Sequence, residues 1–122
     1  MQITYFKIDS ADEISKVVNE FNTSISNTID CSFIAIAQDE ETIIAYMDIV
    51  NCSKKFSLLN SFRIRNEYKG NGIEEKLLKY VVWELQQNGI SFLSIPNAMT
   101  NPDLKWIKDF KIGTSGFIIA VM

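Results

Sequence analysis

Histidine is absent from the 122 residues. That absence removes the commonest general base of enzyme sites and nearly every zinc-binding pattern, so no metal site is expected. Cysteine is scarce: Cys31 and Cys52 are the only two. Cys31 opens an apolar run and reads as a small buried hydrophobe, and a disulfide is not expected in a reducing compartment. Positive charge is in short supply as well, with 12 Lys and Arg against 15 Asp and Glu, a formal charge of -3. The longest basic cluster is Lys54-Lys55, too little to neutralise a row of phosphates, so nucleic acid is excluded as a partner. No apolar run approaches the roughly 20 residues that cross a bilayer, and the amino terminus lacks a signal-peptide layout. No membrane partner is expected, and the cytoplasm is the expected location.

What is present is an ordinary globular composition, 47% hydrophobic, 22% charged and 11% aromatic. A chain of this length fits one domain over residues 1–122. Its apolar periodicity changes several times. Residues 2–8 alternate as a short strand with both faces partly covered. Ser10 followed by Glu13 reads as a capping box, and Ile14, Val17, Val18 and Phe21 then recur at helical spacing. Residues 31–37 and 42–50, separated by Gln38-Asp39-Glu40-Glu41, form an antiparallel hairpin. A third strand covers residues 56–65, with Phe56, Leu58, Phe62 and Ile64 expected on one face. Ile73, Leu77, Leu78, Val81, Val82 and Leu85 form the stripe of a long helix that stops at Asn88-Gly89. A short buried strand at 91–95 is broken by Pro96. A short helix at 102–110 is signposted by Asn101, Pro102 and Asp103, and residues 117–122 close the chain as an apolar strand.

Between the third strand and the long helix runs Asn66-Glu67-Tyr68-Lys69-Gly70-Asn71-Gly72-Ile73. A glycine loop entering a helix aims unpaired backbone N–H groups at one point, where the helix dipole adds about half a positive charge. Gly70 and Gly72 let the backbone approach an anion, and Lys69 supplies a cation. An ordinary strand-to-helix turn has the same composition. Glu74 and Glu75, in the first helical turn, stabilise the helix start and repel an incoming phosphate. A Glu74 side chain lying over the loop amides would stand in for the anion; one projecting outward would add only a screened surface repulsion.

The segment from Phe62 to Ile73 resembles the end of the fourth strand and the acyl-CoA diphosphate loop of the GNAT superfamily of N-acetyltransferases. That loop reads Gln or Arg, two residues, Gly, one residue, then Gly or Ala. Here Lys69 takes the first position, Gly72 the glycine, and Glu74 stands where Gly or Ala is expected. The order of elements resembles the same family over nearly the whole chain. The resemblance implies an α/β (α+β) fold with a mixed, mostly antiparallel sheet flanked by helices. It implies acetyl-CoA as co-substrate, bound by Lys69, Gly70, Asn71, Gly72, Ile73 and Glu74 at the diphosphate and by backbone groups of Phe62 and Ile64 at the pantetheine amides. The family's general acid, a tyrosine in the helix after the fifth strand, has no counterpart in residues 104–110. A thiol leaving group with a free pKa near 8.5 needs little protonation, so this absence slows such a reaction without forbidding it.

With histidine missing, a base for the acceptor amine must be a carboxylate. Asp48, an acid within an otherwise apolar strand sharing its parity with Ile44, Tyr46 and Val50, is the candidate, against the plainer reading of an acid on a solvent-facing edge. The expected activity is transfer of an acetyl group from acetyl-CoA to a primary amine of a small molecule or peptide. The acidic surface favours a cationic amine. The alternative is a non-catalytic module of the same fold that binds a protein or senses acyl-CoA. A chain ending after one last strand leaves an unpaired edge, an invitation to homodimerise.

Overall fold

The computed structural model describes residues 2–21, 31–96, 110–112 and 116–121. The elements run β1 (Ile3–Ile8), α1 (Ala11–Phe21), β2 (Cys31–Asp39), β3 (Thr42–Asn51), β4 (Phe56–Ile64), a 3-10 turn (Asn66–Tyr68), α2 (Ile73–Gln87), β5 (Phe92–Pro96), β6 (Phe110–Ile112) and β7 (Gly116–Ala120). Seven strands make one sheet in the order β1-β2-β3-β4-β5-β7-β6. The pair β4 and β5 is parallel, and the other pairs are antiparallel. Parallel neighbours need a crossover, and α2 supplies it. None of the described helices is long and apolar enough to cross a membrane.

The sheet is a mixed, mostly antiparallel one flanked by helices, as the resemblance implied. Its two faces are filled differently. On one face Ala35, Ala37, Ala45 and Met47 lie under Ile73, Leu77, Leu78, Val81 and Leu85 of α2. On the other, Ile34, Ile36, Ile43 and Tyr46 meet Ile14 and Val17 of α1. Small residues under α2 let a long helix approach the sheet closely, whereas the narrower stripe of α1 is met by bulky isoleucines. Because both faces are covered, β2 and β3 read as almost continuous apolar runs instead of alternating ones.

The predicted caps form. Glu13 N–H donates to Ser10 Oγ at 3.3 Å, and that hydroxyl donates to the Glu13 carboxylate at 2.8 Å. At the end of α2, Gly89 adopts φ 73°, Gly89 N–H donates to Gln86 C=O at 3.2 Å and Ile90 N–H to Leu85 C=O at 3.0 Å. This is a Schellman ending, with Ile90 returning the chain to the core.

The predicted short helix falls on residues 102–109, which lie outside the described residues; its last expected residue, Phe110, begins β6. Two expectations are corrected. The closing strand is not an edge: β7 pairs with β5 on one side and β6 on the other, which removes the unpaired-strand argument for a homodimer. Phe56, Leu58, Phe62 and Ile64 do not share a face. Leu59 is buried in the α2-side core, and Phe62 and Ile64 pack against that same core, so the alternation inverts between residues 59 and 62. As for the cysteines, Cys52 is an exposed free thiol, and the Cys31 side chain lies outside the described residues.

Leu77 is fully buried between α2 and the sheet. Leu77→Ala is expected to cost about 2–5 kcal/mol, the usual range for a leucine truncated in a core. Urea unfolding should show it as a lower midpoint at unchanged m; a change under 1 kcal/mol would mean α2 is not the lid of the core.

Candidate functional site

The site is built where β4 and β5 part. Their parallel ladder runs Phe56↔Phe92, Ser57↔Leu93, Leu58↔Ser94, and ends there. On its other side β4 pairs with β3 through a register shift: Asp48 opposes Ser61, but the next residue, Ile49, opposes Leu59. Asn60 is therefore the extra residue of a β-bulge, which bends its strand and increases the local twist. The bend explains the inverted alternation noted above. Meanwhile β5 continues beside β7 through Ile95↔Phe117 and Pro96↔Gly116, so the two strands diverge.

Asp48 holds this bulge. Its carboxylate Oδ2 accepts a hydrogen bond from Asn60 Nδ2 at 3.0 Å, and the residue is 1% exposed. It stands on a central strand, which overturns the reading of an acid on a solvent-facing edge. Its partner across β2 is Ile34, so it faces the α1 side. Ile44, expected on the same face, packs with the α2-side cluster, because the register shifts between Ala37 and Gln38 opposite.

Beyond the bulge, Arg65 N–H donates to Ile44 C=O at 2.8 Å. Backbone polar groups alternate sides along a strand. Hence those of Phe62 and Ile64 point away from β3, toward the gap that β5 has left. The Arg65 side chain anchors this stretch: Nε donates to Ile43 C=O at 2.8 Å, a terminal nitrogen reaches Glu20 of α1 at 3.4 Å, and the guanidinium lies 5.0 Å from the Phe21 ring centre. Phe21 in turn meets Tyr46 edge-on at 5.2 Å.

The glycine loop follows at once. Lys69 N–H donates to Asn66 C=O at 3.2 Å, closing the 3-10 turn, and the next backbone bond is Lys76 N–H to Gly72 C=O at 3.1 Å. Between them, the N–H groups of residues 70–75 find no acceptor among the described residues. Gly70 and Gly72 have φ 82° and 76°, conformations that a side chain would strain. A Cβ placed at Gly72 would meet nothing within 4 Å among the described residues. Gly72 caps α2 without a side-chain acceptor. Unpaired amides at a helix start are an anion-binding arrangement.

The loop is pinned from below by Tyr68, whose hydroxyl donates to Asp39 Oδ2 at 2.8 Å at the tip of the β2–β3 hairpin. That bond raises the tyrosine pKa by holding its proton. Of the two first-turn acids, Glu75 turns along the helix to Lys79 at 3.2 Å. Glu74 is half-buried, and burial lifts its carboxyl above the ordinary range while Lys69 pulls it down. Among the described residues the Glu74 carboxylate accepts no hydrogen bond, so it does not sit as a substitute anion on the loop amides.

The fold thus gathers Phe62, Ile64, Lys69, Gly70, Asn71, Gly72, Ile73 and Glu74 along one gap and the loop at its end, with Asp48 beneath on the α1 side. Residues 104–109, read for a missing tyrosine, are outside the described residues. Sequence reading missed Asn60 and Arg65. The signal for Asn60 was present, a polar residue after Leu58-Leu59 where the apolar positions change parity. A cavity of about 450 Å³ lined by residues including Lys7, Asn51, Leu85 and Asn88 lies at the opposite end of α2 and shares no residue with the loop.

No protein-family profile and no curated protein matches the sequence. Solved structures do match the fold. An acetyltransferase of the GNAT family from Staphylococcus aureus is 14% identical with a TM-score of 0.64, covering 99% of this chain and 100% of that one. A GNAT family acetyltransferase from Elizabethkingia anophelis, solved with acetyl-CoA bound, is 13% identical with a TM-score of 0.60, covering 96% and 94%. The ribosomal-protein-S18-alanine N-acetyltransferase from Escherichia coli is 9% identical with a TM-score of 0.65, covering 97% and 90%. At these identities the likeness establishes the fold: the chain has the GNAT fold.

Asn60→Ala takes a donor from the buried Asp48 carboxylate. The expected cost is about 1–3 kcal/mol, read as a drop of roughly 3–6 °C in Tm per kcal/mol for a chain of this size. An unaltered Tm would show that the clamp does not hold the bulge.

Proposed function

We propose that the chain is an acetyl-CoA-dependent N-acetyltransferase acting on a primary amine. One observation carries the reading: six consecutive N–H groups, residues 70–75, find no acceptor among the described residues, in the loop that follows the stretch where β4 and β5 part. An anion-binding terminus and an unpaired strand edge meet end to end, the two features that a diphosphate joined to an extended amide arm requires. The amides of residues 70–75 and the Lys69 ammonium hold the diphosphate. The backbone groups of Phe62 and Ile64 pair with the pantetheine amides as an added strand would.

Acetyl-CoA supplies an activated thioester. The neutral amine nitrogen bonds to the acetyl carbon as the carbon–sulfur bond breaks, and the amine's surplus proton passes to base or water as the thiolate departs. The protein's contribution is placement, which can supply much of the barrier reduction when two reactants are held in register. Asp48 is the proposed carboxylate for the proton. Because it is buried and held by Asn60, its effect on the shape of the gap comes first. Glu74 favours this reading over that of a self-blocked binding module, since its carboxylate leaves the loop amides open.

Acetyl-CoA at 100 times its Kd is expected to add about 2.7 kcal/mol of stability and raise Tm by several degrees. Gly72→Val should abolish that rise with native circular dichroism, since a β-branched side chain both strains a positive φ and adds bulk beside the amides. An unchanged melt of the parent protein at millimolar acetyl-CoA overturns the function; a retained shift in the variant moves the diphosphate elsewhere.

Glu74 gives a pH test. An arriving diphosphate pushes a carboxyl already raised above its ordinary 4.5 further up, so binding takes up protons there. Affinity should fall as pH rises from that value through the raised pKa, and Glu74→Gln should flatten the difference from the parent. At pH 7.5 the variant should bind acetyl-CoA no more than about threefold tighter, under about 0.7 kcal/mol. A gain above tenfold would make Glu74 an internal competitor and support the blocked module instead.

A further inference from the structure

The chain has two arginines, Arg63 and Arg65, and its other ten basic residues are lysines. Both arginines belong to the stretch that follows the bulge, and the register decides which way they face. Arg63 opposes Tyr46, and Ser61 opposes Asp48. Tyr46 belongs to the core beneath α1, so Arg63 stands on the α1 side. Phe62, between them, opposes Met47 and packs with the α2-side core.

The two arginines have different situations. Arg65 is engaged on every side, by the Ile43 carbonyl, the Glu20 carboxylate and the Phe21 ring. Arg63 is exposed and, among the described residues, has no hydrogen-bond or ion-pair partner. Its position is also particular. On the α2 side Leu59 belongs to the core and Phe62 and Ile64 pack against it. Among the described residues, the core beneath α1 draws on β1, β2, β3 and α1, and the end of α1 reaches Tyr46 and Arg65, the neighbours of Arg63, through Phe21 and Glu20. A reactant that approaches an acyl donor lying in the gap from the α1 side passes Arg63, which is exposed on that face. A planar guanidinium on that path presents a fork matched to an oxyanion, and it holds its charge at any relevant pH.

We propose that the acceptor is a primary amine that also carries a carboxylate, and that Arg63 is the residue that binds the carboxylate and so selects it. This rests on the acetyltransferase reading above. It also replaces the expectation from net charge of a cationic amine: an overall charge of -3 biases long-range approach, whereas selection is decided by the charge at the entrance, which is positive.

The test uses the full chain with acetyl-CoA, thiol release as the readout, and matched acceptors: amino acids, the same amino acids as carboxamides, amino phosphonates and spermidine. The acids are expected to exceed their carboxamides at least tenfold in kcat/KM. Arg63→Gln should bring that ratio near one through a raised acceptor KM, Arg63→Lys should restore part of it, and calorimetry should find acetyl-CoA affinity within about twofold of the parent in both. Phosphonates outperforming the acids would assign the guanidinium to phosphate-bearing amines and overturn the carboxylate. Carboxamides or spermidine equalling the acids, no acid being consumed at all, or an unmoved ratio in Arg63→Gln would each overturn the inference while leaving the acetyltransferase reading to its own test. Failure of the parent chain to bind acetyl-CoA would remove that reading and this inference together.

Discussion

The extra residue on β4 is the constraint from which the functional geometry follows. Had Asn60 been paired, β4 and β5 would have stayed in register and their backbone groups would have satisfied one another along their length. The bulge turns β4 away while β5 remains bound to β7, and an edge is created in the middle of a sheet. An unpaired edge is ordinarily a liability. Here the fold maintains one beside a run of six amides, residues 70–75, that find no acceptor among the described residues. The clamp is a buried carboxyl group and a side-chain amide 3.0 Å apart, so a polar group that burial would otherwise penalise has a partner where the strand must bend.

The glycine loop is poised against its own electrostatics. Six amides without an acceptor among the described residues and the helix dipole favour an anion, and Lys69 adds to that field. Glu74 opposes it. Partly buried, with its pKa raised, it favours the folded chain most when protonated, a contribution present below the ordinary carboxyl pKa near 4.5 and lost as pH rises through the raised value. The acid stays in the first turn without occupying the amides, because Lys69 offsets part of its charge and its carboxylate accepts no bond from the loop.

Two anchoring contacts keep the loop from collapsing onto the vacant amides. Tyr68 ties it to the hairpin tip through Asp39, and Arg65 ties the end of β4 to α1 and β3. Each joins segments far apart in sequence, 29 residues for the first and 45 for the longer arm of the second. The geometry at the site is therefore a property of the assembled sheet and helices, not of the loop peptide.

The sequence by itself determined the start of α1 and the end of α2, because caps such as Ser10 with Glu13 and Asn88-Gly89 act within a single turn and need no distant partner. It also placed the glycine loop at the start of α2, since strand periodicity, two glycines and helical periodicity follow one another directly. Tertiary structure decided what local patterns could not. The face of Phe56 and Leu58 differs from that of Phe62 and Ile64 because Asp48 holds an extra residue in β4. Asp48 itself is interior because β3 has a neighbour on each side. β7 is interior because it pairs with β5 on one side and with β6 on the other. Arg63 and Arg65 are two residues apart and chemically identical, yet one is bound and one exposed. Only the arrival of Glu20, Phe21 and Ile43 from elsewhere in the chain distinguishes them.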